Sequence, residues 1–226
     1  MKRILVLLLL CAAVAINASA DVVVGGPPNS NNCIPLTCSN AFGVTTYQQV
    51  YSAGAFGGAT TIYGLDFYNT VVNSGSTQLG TGTYSFYLST SSASPGAPSA
   101  TYSNNIGGDN TLLFSGSIAQ PWAFGDTLDI AGTNSFTYNP LNGNLVLTVL
   151  ISGSTDPVPF TFFDASSSSD LGRVYGSGTS GYTNGDYGLV TGFDTSSETT
   201  VTPEPASLLL LSSGIGLVGM LKRRFR

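Results

Sequence analysis

The residues of this chain that could perform chemistry are mainly carboxylates. Between residues 21 and 202 the sequence has no histidine and no lysine, and its only basic side chain is Arg173. The usual general base, a Ser-His-Asp arrangement and a Schiff-base lysine are therefore missing from this region. What remains is catalysis by a pair of carboxylates, as in glycosidases.

The carboxylates are poorly spaced for such a pair. Asp126 and Asp129 are the closest two in the region, but residues three apart on a strand point to opposite faces. Asp109 or Asp186 could meet another carboxylate only through the fold. We expect most of these aspartates to be turn residues that bond backbone groups, and we predict that the protein is not an enzyme.

Calcium binding is a second chemistry that the aspartates leave open. Asp109, Asp156 and Asp186, with neighbouring carbonyl groups, are hard oxygen donors of the kind that Ca²⁺ takes. The sequence contains no D-x-[DN]-x-[DN]-G loop. We therefore predict no cofactor and no metal site, with calcium as the alternative.

A third chemistry is the recognition of sugars by aromatic rings. Trp122 lies with Phe124 in the predicted loop "AQPWAFGD", and Tyr175 and Tyr182 are next to glycines. Exposed rings present an apolar face on which a sugar can stack. Trp122 is accordingly the candidate glycan contact, and the competing interpretation is that its ring caps a hydrophobic core.

The cysteines indicate a structural role. Cys33 and Cys38 are separated by four residues and follow an export-type N-terminus, a setting that favours a local disulfide. A zinc site would need further soft ligands, which a chain without histidine does not supply here. Cys11 lies in an N-terminal apolar run and is expected to be removed with it.

The charge of the region between the two ends excludes some partners. Residues 21–202 carry eleven acidic side chains and one basic one, which gives a net charge of −10. Such a surface repels nucleic acid, because binding a phosphate backbone depends on cationic side chains. The eleven acids are Asp21, Asp66, Asp109, Asp126, Asp129, Asp156, Asp164, Asp170, Asp186, Asp194 and Glu198.

The elements that must position these residues follow a period of two. Apolar residues alternate with others in three stretches, and such alternation is typical of half-buried strands. The alternating sets are Tyr63, Leu65 and Phe67; Tyr84, Phe86 and Leu88; and Tyr187, Leu189 and Phe193. The nearly continuous apolar run Asn144–Ile151 predicts a central strand. The fold class predicted is all-β, an antiparallel β-sandwich of about ten strands that resembles a jelly roll.

Turn residues predict how these strands are joined. Asn142-Gly143 is a hairpin signal between the runs "SFTY" and "NLVLTV". The run "ASSSSD" at 165–170 predicts a surface loop, and "TNGDYG" at 183–188 predicts a turn.

The N-terminus is typical of a secretory signal peptide. Lys2 and Arg3 precede an apolar run over residues 4–16, and Ala18 and Ala20 form an A-x-A cleavage site. We predict a signal helix over residues 1–20 that is removed by signal peptidase after Ala20.

The C-terminus predicts a membrane span. Ala206–Leu221 is sixteen uncharged residues, which as a helix extend about 24 Å against a hydrocarbon core of about 30 Å. Lys222, Arg223 and Arg224 follow and can snorkel to the cytoplasmic surface. The prediction is a transmembrane helix with the body outside and the basic end inside; a buried core helix is the alternative.

The tail resembles a known sorting signal. Pro203-Glu204-Pro205, a Leu-rich span and the basic cluster at 222–224 are similar in order and spacing to the PEP-CTERM signal of Gram-negative bacteria. The resemblance covers residues 203–226. It implies that a membrane enzyme, exosortase, recognises the Pro-Glu-Pro segment and removes the tail. It also implies an association with exopolysaccharide and the biofilm matrix.

Together these features predict five segments. They are a signal peptide (1–20), an N-terminal arm with the disulfide (21–40), a β-sandwich (41–194), a polar linker (195–202) and the sorting signal (203–226). We expect an exported, non-enzymatic protein of the envelope or extracellular matrix, anchored in the membrane until it is processed. The alternative is a secreted glycan-binding module with the same signal, and a carboxylate glycosidase is a third interpretation.

Overall fold

Short alternating runs form eleven strands in the computed structural model, which describes residues 21–73 and 76–195. The strands are β1 (Val22–Val24), β2 (Ser30–Asn32), β3 (Thr46–Tyr51), β4 (Thr60–Tyr68), β5 (Thr81–Ser91), β6 (Thr111–Gly116), β7 (Thr127–Tyr138), β8 (Asn144–Thr155), β9 (Phe163–Gly176), β10 (Tyr182–Leu189) and β11 (Thr191–Asp194). Single 3₁₀ turns occupy Ala53–Ala55, Tyr102–Asn104 and Pro140–Asn142. The fold of the described residues is thus nearly all β.

The strands build two antiparallel sheets. One sheet has four strands in the order β1-β11-β4-β7. The other has seven strands, in the order β10-β9-β3-β8-β5-β6 with β2 paired to β9. Strands β1 and β2, which fall in the segment predicted as an N-terminal arm, each pair with a strand of one sheet.

Aromatic side chains fill the space between the sheets. Tyr51 of β3 packs edge-on against Phe193 of β11, with ring centroids 5.0 Å apart. Phe56 lies 5.3 Å from Phe193 and 4.8 Å from Tyr138 of β7. Large aromatic rings extend from both sheets and are buried between them, so that the two sheets share one hydrophobic core. The architecture is consistent with the predicted β-sandwich.

The alternation predicted for β5 is confirmed, since Tyr84, Phe86 and Leu88 are all fully buried. In β4 the prediction is only partly correct. A register shift between Ile62 and Gly64 breaks the pairing with β7, so that Ile62 is buried and Tyr63 is half-buried, while Leu65 and Phe67 remain in the core.

Most of the apolar run of β8 is covered on both faces, as predicted, since residues 145–149 and Ile151 are buried and only Leu150 is exposed. The segment 92–110, between β5 and β6, lies over the outer face of the seven-stranded sheet. Gln48 of β3 donates to the Tyr102 carbonyl at 3.1 Å and accepts from the Asn105 amide at 2.9 Å. Gly172 permits this cover, because a Cβ there would lie 1.8 Å from the Pro95 carbonyl oxygen.

The hairpin predicted at Asn142-Gly143 is wrong. Strands β7 and β8 flank these residues but belong to different sheets, since β7 pairs with β4 and β8 pairs with β3 and β5. The connection therefore passes from one sheet to the other. The hydroxyl of Tyr138 donates to the Gly143 carbonyl at 2.7 Å and fixes this crossing.

The surface loop predicted at 165–170 and the turn predicted at 183–188 are also strands. Ala165 and Ser166 are buried in β9, which pairs with β2 on one side and β10 on the other. The alternating run at 186–194 is not one strand. Val190 lies between β10 in one sheet and β11 in the other, which allows both halves to keep their apolar face towards the core.

Strands from the two ends of the described chain lie next to each other. Val22 of β1 pairs with Phe193 of β11, and the amide of Thr195 donates to the Asp21 carboxylate at 3.4 Å. The chain divides into two units, residues 1–196 and 197–226. The predicted signal helix, transmembrane helix and sorting signal lie outside the described residues. Within the described ranges, no helix has the length and apolar character needed to cross a bilayer.

We predict that Phe193→Ala destabilises the sandwich by about 3–5 kcal/mol, because it removes a fully buried ring that contacts both sheets. Val23→Ala, at an exposed position of the neighbouring strand, should change the free energy of unfolding by less than about 0.5 kcal/mol. Urea unfolding followed by tyrosine fluorescence measures both. Equal small effects would contradict the assignment of Phe193 to the core.

Candidate functional site

The candidate glycan contact Trp122 is not on the surface. Its side chain is 4% exposed, and its ring lies 5.3 Å from that of Phe163. Its indole N–H donates at 2.8 Å to Asn69 when the amide oxygen of that residue faces the ring. A ring enclosed in this way has no face for a sugar, so the competing interpretation, a cap on the core, is correct.

The aspartates considered for calcium are not brought together. Asp109 accepts from the backbone amide of Thr90 at 2.8 Å, and Asp156 accepts from the amides of residues 40 and 41. Asp186 lies on β10 in a left-handed conformation, with φ of 56°. Asp126 accepts from the amide of Ala123 at 2.8 Å, as expected for a turn aspartate.

Three other carboxylates do converge, on the outer face of the four-stranded sheet. Asp66 of β4, Asp129 of β7 and Asp194 of β11 each offer an oxygen within 4.8 Å of the others. Asp66 and Asp129 are direct cross-strand partners, and Asp194 pairs with Gly64, two residues from Asp66. We call these three residues the carboxylate cluster.

Two glycines make room for this cluster. A Cβ at Gly64 would lie 2.2 Å from a carboxylate oxygen of Asp194, and a Cβ at Gly192 would lie 2.2 Å from the Tyr68 hydroxyl. Any larger residue at either position would displace these polar groups. The glycines thus allow Asp194 and Tyr68 to lie flat across the sheet.

Burial and repulsion from neighbouring carboxylates raise the pKa of Asp66 in the carboxylate cluster. Desolvation, followed by the charges of Asp194, Asp129 and Asp21, raises the pKa of Asp66 to about 6. The same two causes, burial and the nearby carboxylates, raise the pKa of Tyr68 to about 12. Asp66 therefore holds a proton more tightly than an ordinary aspartate does.

This geometry suits two kinds of chemistry. The three oxygens are hard donors of the kind that Ca²⁺ takes, and they come from residues that the sequence did not single out for it. Alternatively, neighbouring carboxylates share a proton, with Asp66 as the protonated member.

A second candidate site surrounds Arg173, next to the edge strand of the seven-stranded sheet. Arg173 of β9 pairs with Gln49 of β3 on one side and Asn184 of β10 on the other. Its side chain is only 6% exposed. The guanidinium carbon lies 4.8 Å from the ring centroid of Tyr175 and 4.4 Å from that of Tyr187, so that both rings offer it a cation–π contact.

The polar atoms of Arg173 are only partly satisfied. Its Nε donates to the Asn184 side-chain oxygen at 3.4 Å, whereas its Nη1 is buried with no hydrogen-bond partner. Tyr182, 75% exposed, places its ring 6.2 Å from that of Tyr175. We call Arg173, Tyr175, Tyr182, Asn184 and Tyr187 the arginine site.

Neighbouring elements hold the arginine site in place. The hydroxyl of Tyr187 donates to the Asn31 carbonyl at 3.1 Å and is 3.3 Å from the Ser30 hydroxyl, which ties its ring to β2. Tyr47 lies beside Arg173 in the core. Burial raises the pKa of the Tyr47 hydroxyl, and the charge of Arg173 and its hydrogen bond with this hydroxyl oppose the increase. The arginine thus has phenol groups around it in place of a carboxylate.

Comparisons with known proteins find no matching family model, no similar curated protein and no similar solved structure. The geometry of the two sites and the pattern of the sequence are therefore the basis for the function.

We predict that Asp66→Asn flattens the dependence of thermal stability on pH. The proton of Asp66 is retained up to about pH 6 in the folded state but is lost near pH 4 in the unfolded chain, so its contribution is full below about pH 4 and disappears as the pH rises through 6. The variant should therefore melt above the wild type at pH 7, with the difference smallest at pH 4.

Circular dichroism melting curves at several pH values measure this difference. Asp186→Asn is the matched control, because Asp186 is exposed and asparagine tolerates its positive φ. A pH profile that is identical for Asp66→Asn and the wild type would show that the cluster does not repel its central carboxylate.

Proposed function

We propose that this chain is an exported, non-enzymatic protein of the cell envelope or extracellular matrix, which exosortase processes at a C-terminal signal. The observation that carries the proposal is the order of parts in residues 203–226. Pro203-Glu204-Pro205, an apolar run and the basic residues 222–224 follow one another at the end of the sequence. Signal peptidase and exosortase are the processing enzymes, and exopolysaccharide is the surrounding material.

The extent of the fold supports this division of the chain. Strand β1 begins at Val22, two residues after the cleavage site predicted at Ala20. Strand β11 ends at Asp194, directly before the predicted linker. The strands of the described residues thus lie between the two predicted signals. The disulfide between Cys33 and Cys38 agrees with an oxidising compartment.

We further infer that the sandwich is a jelly roll. Apart from β2, β9 and β10, the described part of the chain has eight strands, which can be numbered in chain order. The first pairs with the last (β1 with β11), the second with the seventh (β3 with β8), the third with the sixth (β4 with β7) and the fourth with the fifth (β5 with β6). Such nested pairing is that of one long hairpin folded over itself, which supports the jelly-roll form.

The alternative function, a glycan-binding module with the same signal, is favoured by one specific observation. The arginine site combines an exposed ring, Tyr182, with polar groups at a sheet edge. Aromatic rings with adjacent hydrogen-bonding groups are suited to sugars. Trp122, the residue that the sequence suggested, has no part in this alternative.

We predict that changing Pro203, Glu204 and Pro205 together to alanine blocks removal of the tail. Two prolines keep the backbone extended and available to a protease, and alanines would allow the helix to extend through the site. Pulse-labelling should then show the membrane-associated precursor persisting, whereas the wild type is converted to a shorter product.

The matched control changes Ser196, Ser197 and Thr199 of the linker to alanine, which should leave conversion unchanged. Processing of the Pro-Glu-Pro variant at the wild-type rate would refute the sorting signal. So would a native protein found in the cytosol with both ends intact.

A further inference from the structure

Arg173 presents an electrostatic problem that the described residues do not solve. It is the only basic residue between residues 21 and 202, and it is buried. Among residues 21–73 and 76–195 no carboxylate bonds it, and its Nη1 has no partner. Its polar contacts are one long bond from Nε to Asn184 and a hydrogen bond with the neutral Tyr47 hydroxyl. A buried cation is unfavourable unless it is paired, and two tyrosine rings offset only part of that cost.

We propose that the arginine site binds the carboxylate of an acidic sugar unit, a hexuronate, with Arg173 as the anion-binding residue and Tyr182 as the stacking ring. The inference rests on the alternative function above, glycan binding, and names the class of sugar. The ligand supplies the negative charge that no carboxylate of the described residues places beside Arg173.

The chemistry of the guanidinium group indicates that the ligand carries a carboxylate. Its planar N–H groups match the geometry of a carboxylate, and charge-assisted hydrogen bonds are stronger than neutral ones. The rings of Tyr175 and Tyr187 lie within 5 Å of the guanidinium carbon and keep water away from it. Electrostatic attraction in such a dry site is stronger than at the protein surface.

The exposed side chains around Arg173 indicate that the carboxylate belongs to a sugar. The ring of Tyr182 is available for stacking on the apolar face of a pyranose. Asn184, also exposed, offers an amide that can exchange bonds with sugar hydroxyl groups. A free carboxylate such as acetate would use the arginine but would gain nothing from Tyr182.

The same exposed residues provide the route to the arginine. Tyr182 and Asn184 lie on β10, the edge strand of the seven-stranded sheet, and their side chains can rotate without disturbing the core. The bond from Arg173 to Asn184 is 3.4 Å, near the limit for a hydrogen bond, so its replacement costs little. Tyr187, in contrast, is held by Ser30 and Asn31 and forms the fixed wall.

The net charge of the body gives this binding a distinctive dependence on salt. The excess of ten negative charges repels an anionic sugar at long range. In 0.1 M salt the Debye length is about 10 Å, so repulsion over longer distances is largely screened. The contact with the buried arginine is screened less. Affinity for a uronate should therefore hold steady or rise as salt increases, whereas sites built from surface lysines lose affinity.

The test uses the full chain, purified in detergent with its arginines labelled with ¹⁵N. The Nε signal of Arg173 is identified as the one that Arg173→Lys removes. Methyl β-glucuronide should shift this signal saturably, with a dissociation constant of about 1 mM. The neutral methyl β-glucoside should leave it in place, and acetate should bind at least about tenfold more weakly than the glucuronide.

Tyr182→Ala should weaken the glucuronide about tenfold and leave acetate unchanged. Phe124→Ala, at another exposed aromatic residue, is the control and should behave as the wild type. Because Tyr182 is largely exposed, its loss should leave the melting temperature unchanged, which separates a binding defect from unfolding.

The proposal fails if the Arg173 signal does not respond to the glucuronide, or if the glucoside shifts it equally. It also fails if acetate binds as tightly as the glucuronide in both the wild type and Tyr182→Ala, since the sugar would then contribute nothing. Tail processing has no part in this experiment. Its outcome therefore leaves the sorting proposal untouched, and failure of sorting leaves the binding result standing.

Discussion

Burial of large side chains between the two sheets is the interaction on which both candidate sites depend. Where β4, β7 and β11 lie side by side, a residue that enters the core is followed or preceded by one that faces outward. Phe67, Leu128 and Phe193 are buried, and this places their neighbours Asp66, Asp129 and Asp194 together on the outer face. A slip of one residue in any of these strands would exchange the two sets and disperse the carboxylates.

The two sites present opposite electrostatic conditions within one acidic molecule. In the carboxylate cluster, like charges are concentrated, and the response is the raised pKa of Asp66. In the arginine site a single cation is surrounded by rings, and no carboxylate of the described residues forms an ion pair with it. The first arrangement is relieved by a proton or a cation, and the second by an anion.

The sequence was informative where the cause of structure is local. Alternation identified the buried face of β5, and the unbroken apolar run identified β8 as a central strand. Prediction from the sequence failed where contacts between distant segments determine the structure. The run 165–170 is predicted as a loop, but Ala165 pairs with β2 and β10, and Ser166 and Ser167 pair with β10. Asp66 meets Asp129 only through cross-strand register. Arg173 could have been identified, since a lone base among eleven acids is visible in the sequence.

The pairing of β1 with β11 links the first strand of the described chain to its last. Synthesis from the N-terminus produces β1 about 170 residues before its partner exists. Strand β1 therefore has no partner in this sheet, and β4 lacks its neighbour β11, until the end of the described chain is made. Delivery of the strands in chain order thus postpones completion of this sheet until the last described strand has emerged from the ribosome.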